Sequence, residues 1–131
     1  MTVHITYKNK QLKEKAYNLV LFVDEKFNIN GLKKHITSPD YSLISDLIKS
    51  QNTKKKIVSF NISSKKNIIL ISLKKKITLF DAEKLGASFY DKFKDNSIKL
   101  FNVNSETLSI QQKNIIGSFV HGLKLKSYVF E

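Results

Sequence analysis

A chain of 131 residues is close to the commonest size for one domain, and it can bury roughly two thirds of the surface its unfolded form exposes. Apolar content of 41% and charged content of 26% exclude a disordered chain. The absence of cysteine excludes disulfides and thiolate metal sites, and makes a reducing cytoplasm the expected location.

The formal charge of +12 invites a nucleic-acid partner, but all 23 basic residues are lysine. Asn, Ile and Lys are plentiful while Gly and Pro are scarce, which is the mark of A·T-rich codons. Arginine, the better bidentate ligand for phosphate and guanine, is missing altogether. Solvated lysines account for the charge more economically than phosphate binding. No apolar run approaches the roughly 18 residues of a membrane span. Met1-Thr2-Val3-His4 has neither the basic flank nor the apolar stretch of a signal peptide.

In chain order, Val3 to Tyr7 alternates with period two and predicts a first strand. Leu19 to Val23 is a continuous apolar run, which suits a strand covered on both faces. A turn follows at Phe27 to Gly31. Ser38-Pro39-Asp40 predicts a helix start, with Ser38 as the cap and Pro39 at the first helical position, and Tyr41, Ile44, Leu47 and Ile48 then recur at helical spacing. Ile57 to Ile62 and Ile68 to Leu73, separated by a short polar connection, predict an antiparallel hairpin.

A βαβα continuation completes the chain. Thr78 and Asp81 have capping-box spacing, and Ala82, Leu85, Gly86, Phe89 and Phe93 trace one face of a helix. Gly86 in that stripe implies close helix–sheet packing, since glycine otherwise costs a helix about 1 kcal/mol. Ser97 to Val103 alternates like a strand. Ser105 to about Leu125 reads as the longest helix, with Leu108, Ile115, Ile116, Phe119, Val120 and Leu123 inward. Strands alternating with helices predict a single α/β domain over 1–131, a mixed sheet flanked by helices.

Chemistry-bearing constellations are absent from the pattern. His4, His35 and His121 stand on separate elements with no ligand-spaced neighbour, so no metal site is expected. Asp24 and Glu25 leave a strand, Asp40 and Asp81 sit at helix starts, and Glu106 opens the last helix. Strand ends and helix dipoles explain such carboxylates without catalysis. The four glycines are isolated, so there is no phosphate-cradling loop, and no nucleophile motif is present. No catalytic residue is assigned. If the hairpin forms, Lys54, Lys55 and Lys56 enter at the end where Lys74, Lys75 and Lys76 leave. Those six lysines are the one candidate anion, DNA or partner patch. A charged guard against edge-to-edge pairing is the plainer reading, and the lack of interleaved aromatics disfavours a single-strand stacking platform.

The run Phe119 to Glu131 resembles the end of the amino-terminal domain of leucyl (cytosol) aminopeptidases. There a helix closes with Glu-Gly, a few apolar residues and Gly-(Ser/Ala)-Tyr-x-Phe-Asp. Gly122, Leu123, Leu125, Ser127, Tyr128 and Phe130 match, with Glu131 in place of Asp. His121 stands where Glu is usual, and Lys126 where Gly is usual. Leu19 to Asp24 is similar to the family's second strand with its following acid. Asn67 to Lys74 is similar to its apolar strand ending Val-Gly-Leu-Gly, with Ser72 and Lys74 replacing the glycines. Lys84-Leu85-Gly86-Ala87 resembles its Arg-Lys-Ala-Gly-type helix.

The resemblance implies a macro-domain-like α/β fold that precedes a separate catalytic domain. In the family that later domain binds two divalent metals (zinc, with manganese or magnesium exchangeable) and removes amino-terminal residues from peptides. No Asn-Thr-Asp-Ala-Glu-Gly-Arg signature occurs here, so no catalytic or metal-binding residue is carried over and this chain alone is expected to be inactive. The aromatic ending Tyr128 to Phe130 leads to the expectation of a parent that continues. The implied partners are the chain's own catalytic domain and the other subunits of a hexamer, with an assembly role for this domain. The alternative is a DNA-binding or ADP-ribose-like nucleotide-binding module. The nucleotide version is the weaker, for want of a glycine-rich loop.

Overall fold

Two apolar runs take the centre of a four-stranded sheet, because only strands with neighbours on both edges and cover on both faces suit such sequences. A computed structural model of the chain describes residues 17–50, 56–63, 66–74, 76–95, 101–103 and 114–127. The strand expected at Val3 to Tyr7, residues 97–100 of the expected fourth strand, residues 105–113 of the expected last helix with Leu108, and segment 128–131 lie outside them. The strands are β1 (Tyr17–Asp24), β2 (Ile57–Ser63), β3 (Lys66–Leu73) and β4 (Phe101–Val103), in the spatial order β2-β3-β1-β4. β1 runs parallel to both β3 and β4, and β2 is antiparallel to β3, so the sheet is mixed as expected. The hairpin reading of β2 and β3 holds, with a register irregularity between Asn61 and Ser63.

The chain divides into two compact units that interleave in sequence. The first holds the sheet, a 3-10 helix (Asn30–Lys34) and the helix α1 (Ser38–Ser50). Side chains alternate across the strands, so Leu19, Leu21 and Val23 share a face with Ile68, Leu70, Val58 and Phe60. On that face they form one buried cluster with Phe27, Ile29, Leu32, Ile36 and Ile44, and Tyr41, Leu47 and Ile48 of α1 pack against it. Val20, Phe22, Ile69 and Ile71 on the other face are equally buried.

The start of α1 corrects one expectation. Thr37, not Ser38, is the cap. Its Oγ1 accepts from the Asp40 amide at 3.3 Å, and its carbonyl accepts from the Tyr41 amide at 2.9 Å. Pro39 therefore stands at the second helical position, where its missing N–H is still one that the helix could not pair internally.

The second unit contains α2 (Leu79–Phe93) and α3 (Ile115–Ser127). Thr78 caps α2 by accepting from the Asp81 amide at 3.0 Å, and the buried stripe is the expected one: Ala82, Leu85, Gly86, Phe89 and Phe93. Phe89 meets Phe93 and Phe119 with ring centroids 4.8 and 5.6 Å apart. The two helices cross on glycine, so the close packing expected between Gly86 and the sheet is instead made with α3. A Cβ on Gly86 would fall 1.9 Å from the Phe119 carbonyl oxygen, and one on Gly122 would fall 1.9 Å from that of Glu83. Gly117 faces open space.

Two predictions follow from these local causes. Gly86→Ala and Gly122→Ala should each lower stability by about 1–3 kcal/mol through overpacking, although alanine is the better helix former. Gly117→Ala should raise stability by up to about 1 kcal/mol. Urea melts check this, and a Gly122→Ala variant as stable as the parent would remove steric closeness as the reason for the glycine. Thr37→Ala should cost about 1 kcal/mol and Ser38→Ala almost nothing; the reverse order in the same melts would return the cap to Ser38.

Candidate functional site

The antiparallel ladder brings Lys56 and Lys74 to one end of the sheet. The Ser72 amide donates to the Lys56 carbonyl at 2.7 Å, and Lys74 follows two residues later. Both are exposed. Lys54, Lys55 and Lys75 lie outside the described residues, and Lys76 belongs to the other compact unit. The described part of the expected six-lysine patch is therefore a pair.

That end of the sheet is also where β1 stops, at Asp24, which lies opposite Leu73 in the parallel register. The Asp24 carboxylate is engaged in shaping the following loop. Its Oδ1 accepts from the amides of Lys26 at 3.1 Å and Asn28 at 2.9 Å, while its carbonyl accepts from the Phe27 amide at 3.0 Å. The Ser72 hydroxyl reaches the same carbonyl at 3.3 Å. Phe27 sits in the left-handed region at φ 56°, a costly conformation for a bulky residue, and is buried in the core. The acid that closes β1 thus has a local structural task.

At the other end of the sheet, pattern reading misses two polar pairs. Lys66 Nζ lies 3.1 Å from Asp40 Oδ2, both side chains largely buried. Asn67 Nδ2 donates to Asn18 Oδ1 at 3.0 Å, and Asn18 is fully buried. The residues on either side of each partner point elsewhere: Lys66 reads as part of a polar turn, and Asp40 as a helix-start acid. No signal in a single sequence joins them across 26 and 49 positions.

Of the histidines, His35 ends the 3-10 helix with its amide on the Leu32 carbonyl, His121 is exposed on α3, and His4 lies outside the described residues. Asp81 sits in the first turn of α2 as expected, and Glu106 is not among the described residues. Among the described residues no three His, Asp or Glu side chains are grouped to hold a metal ion, and no helix is long and apolar enough to cross a membrane.

The α2/α3 unit carries the other notable surface. A groove of about 260 Å³ is lined by Phe80, Glu83, Lys84, Ala87, Gly122 and Leu125, with Lys126 at its edge. Phe80 is 64% exposed, with Lys84 Nζ 4.4 Å from its ring centroid. Pattern reading passes over Phe80 because it lies off the buried stripe. No family model, curated protein or solved structure matches this chain.

Counterion release provides a test of the lysine pair. Each neutralised phosphate contributes about −0.9 to the slope of log affinity against log salt, so two contacts give about −1.8 and six give about −5.4. Duplex DNA titrated over a salt series should show weak binding with the shallower slope. A slope near the steeper value would mean that many more lysines touch phosphate.

Proposed function

We propose that this chain is the non-catalytic amino-terminal domain of a two-metal leucyl aminopeptidase, a cytoplasmic hexamer in which this domain has a macro-domain-like fold and serves assembly. The observation that carries the reading is Gly122. The closing helix motif turns on this glycine, and here it stands where a Cβ would overlap the Glu83 carbonyl. The glycine has a steric cause in a helix pair of the expected order, which supports the reading. The alternation of β3, α2, β4 and α3 along the chain supports the same reading.

The peptidase chemistry belongs to a catalytic domain outside this sequence, where two zinc or manganese ions would act. No residue here is assigned a step in hydrolysis. A second reading, a DNA-binding module, draws on the meeting of Lys56 and Lys74 at one sheet end.

The test is to isolate the native protein from its source with an antibody raised against this chain. The expected product is a polypeptide far larger than 15.1 kDa, assembled as six copies, that hydrolyses a leucyl substrate when manganese is added. The isolated 131-residue chain should show no hydrolysis under the same conditions. A native polypeptide of 15.1 kDa without peptidase activity would overturn the proposal.

A further inference from the structure

The loop after β1 holds the one Asn-Gly step in the sequence, Asn30-Gly31, and both residues are exposed at the start of the 3-10 helix. The first amides of a helix lack internal acceptors, so each has to find one elsewhere. The Asn30 amide donates to Asn28 Oδ1 at 3.1 Å, and the Leu32 amide donates to the Ile29 carbonyl at 2.9 Å. The Gly31 amide between them has no acceptor among the described residues. A Cβ on Gly31 would meet nothing within 4 Å, and its φ is not positive, so neither packing nor backbone conformation calls for glycine here.

The glycine does have a chemical consequence. An asparagine side-chain amide lies within one five-membered ring of the next residue's backbone nitrogen, and glycine at that next residue leaves the approach unhindered. The Tyr41 hydroxyl donates to Asn30 Oδ1 at 3.2 Å and so draws electron density from the carbon that would be attacked. Ring closure needs the turn to open. A five-residue 3-10 helix on the surface is held by poorly aligned hydrogen bonds, so its opening is a low-energy local event.

We propose that Asn30 is a self-modifying site, where the Gly31 nitrogen attacks Asn30 Cγ and the residue is converted to isoaspartate. The Gly31 amide proton passes to water as the N–Cγ bond forms; the Cγ–Nδ2 bond breaks, and Nδ2 takes up a proton and leaves as ammonia. Water then opens the resulting succinimide. Attack at Cγ gives aspartate, whereas attack at the main-chain carbonyl gives isoaspartate, in which the backbone runs through Cβ and Cγ. Water is the sole co-reactant, and the site is independent of the peptidase reading. Isoaspartate lengthens the backbone by a methylene two residues before Leu32, which is 2% exposed and belongs to the core cluster on the α1 face. It also lies inside the turn closed by the bond from the Leu32 amide to the Ile29 carbonyl. Aspartate keeps the backbone length and adds only a surface charge close in sequence to Lys33 and Lys34.

To test this, the purified chain is incubated in mildly alkaline buffer and digested with trypsin, which releases residues 27–33 with Asn28 and Asn30 in one peptide. Tandem mass spectrometry and an isoaspartyl methyltransferase assay should place the change at Asn30, with Asn28 at least about 10-fold less modified because the branched Ile29 hinders its own amide. Gly31→Ala should slow the loss of Asn30 at least about 10-fold, while unfolding at or above the parent's urea midpoint. Asn30→Gln, which would have to close a larger ring, should yield no isoaspartate in this peptide. The isoaspartyl form, separated chromatographically, should unfold at lower urea than the parent, and Asn30→Asp at the parent's midpoint. An unchanged Asn30, equal reaction at Asn28, a Gly31→Ala chain as reactive as the parent, or an isoaspartyl form as stable as the parent would each overturn the proposal.

Discussion

The hydrogen bond between Asn67 and Asn18 does more for this fold than its single 3.0 Å contact suggests. β1 and β3 are apolar on both faces, so sliding one past the other by a residue would still bury aliphatic side chains on each side. In a half-buried strand such a slip is forbidden because it turns the core face outward. Here that penalty is weak. What remains is the polar end: Asn18 is fully buried and opposes Asn67 in the register. A slip breaks this hydrogen bond to a buried amide, at a cost of roughly 1–3 kcal/mol. The Ser72 hydroxyl on the Asp24 carbonyl ties the far end in the same alignment. β2 and β4 then take their registers from β3 and β1, so the whole sheet inherits this choice.

Those ends explain what could and could not be read along the chain. Continuous apolar runs identified β1 and β3 as central, and helical spacing identified the buried face of α2 down to Gly86. Both signals are local and periodic. The Asn18–Asn67 and Asp40–Lys66 pairs are neither, because they depend on which strand lies beside which. The Thr37 cap was misassigned for a different reason. Thr37 and Ser38 are adjacent and equally able to accept an amide proton, so composition favours neither, and Pro39 is compatible with a start at either residue.

The candidate sites divide in the same way. The meeting of Lys56 and Lys74 was legible because a short hairpin dictates which residues share an end. The groove was not, because it is a property of two helices that are distant in sequence and cross on Gly86 and Gly122. Gly86 suggested close packing against the sheet, whereas the atoms nearest it are backbone atoms of Phe119 and Leu123 in α3. Phe80 carried no signal of its own, as a single exposed aromatic on a helix is ordinary until a neighbouring helix makes a hollow beside it.

The two ends of the sheet differ in how their polar groups are used. At the start of β1 and β3 the polar side chains face one another, Asn with Asn and Lys with Asp, and are largely withdrawn from water. At the finish, Asp24 turns its carboxylate onto backbone amides, and the nearby lysines stay in solvent. That carboxylate is what makes the left-handed Phe27 tolerable: two amides bound to Oδ1 and a third to the carbonyl hold the loop closed, and the Phe27 ring is buried in return. The acid that closes β1 is thus explained by the turn it builds.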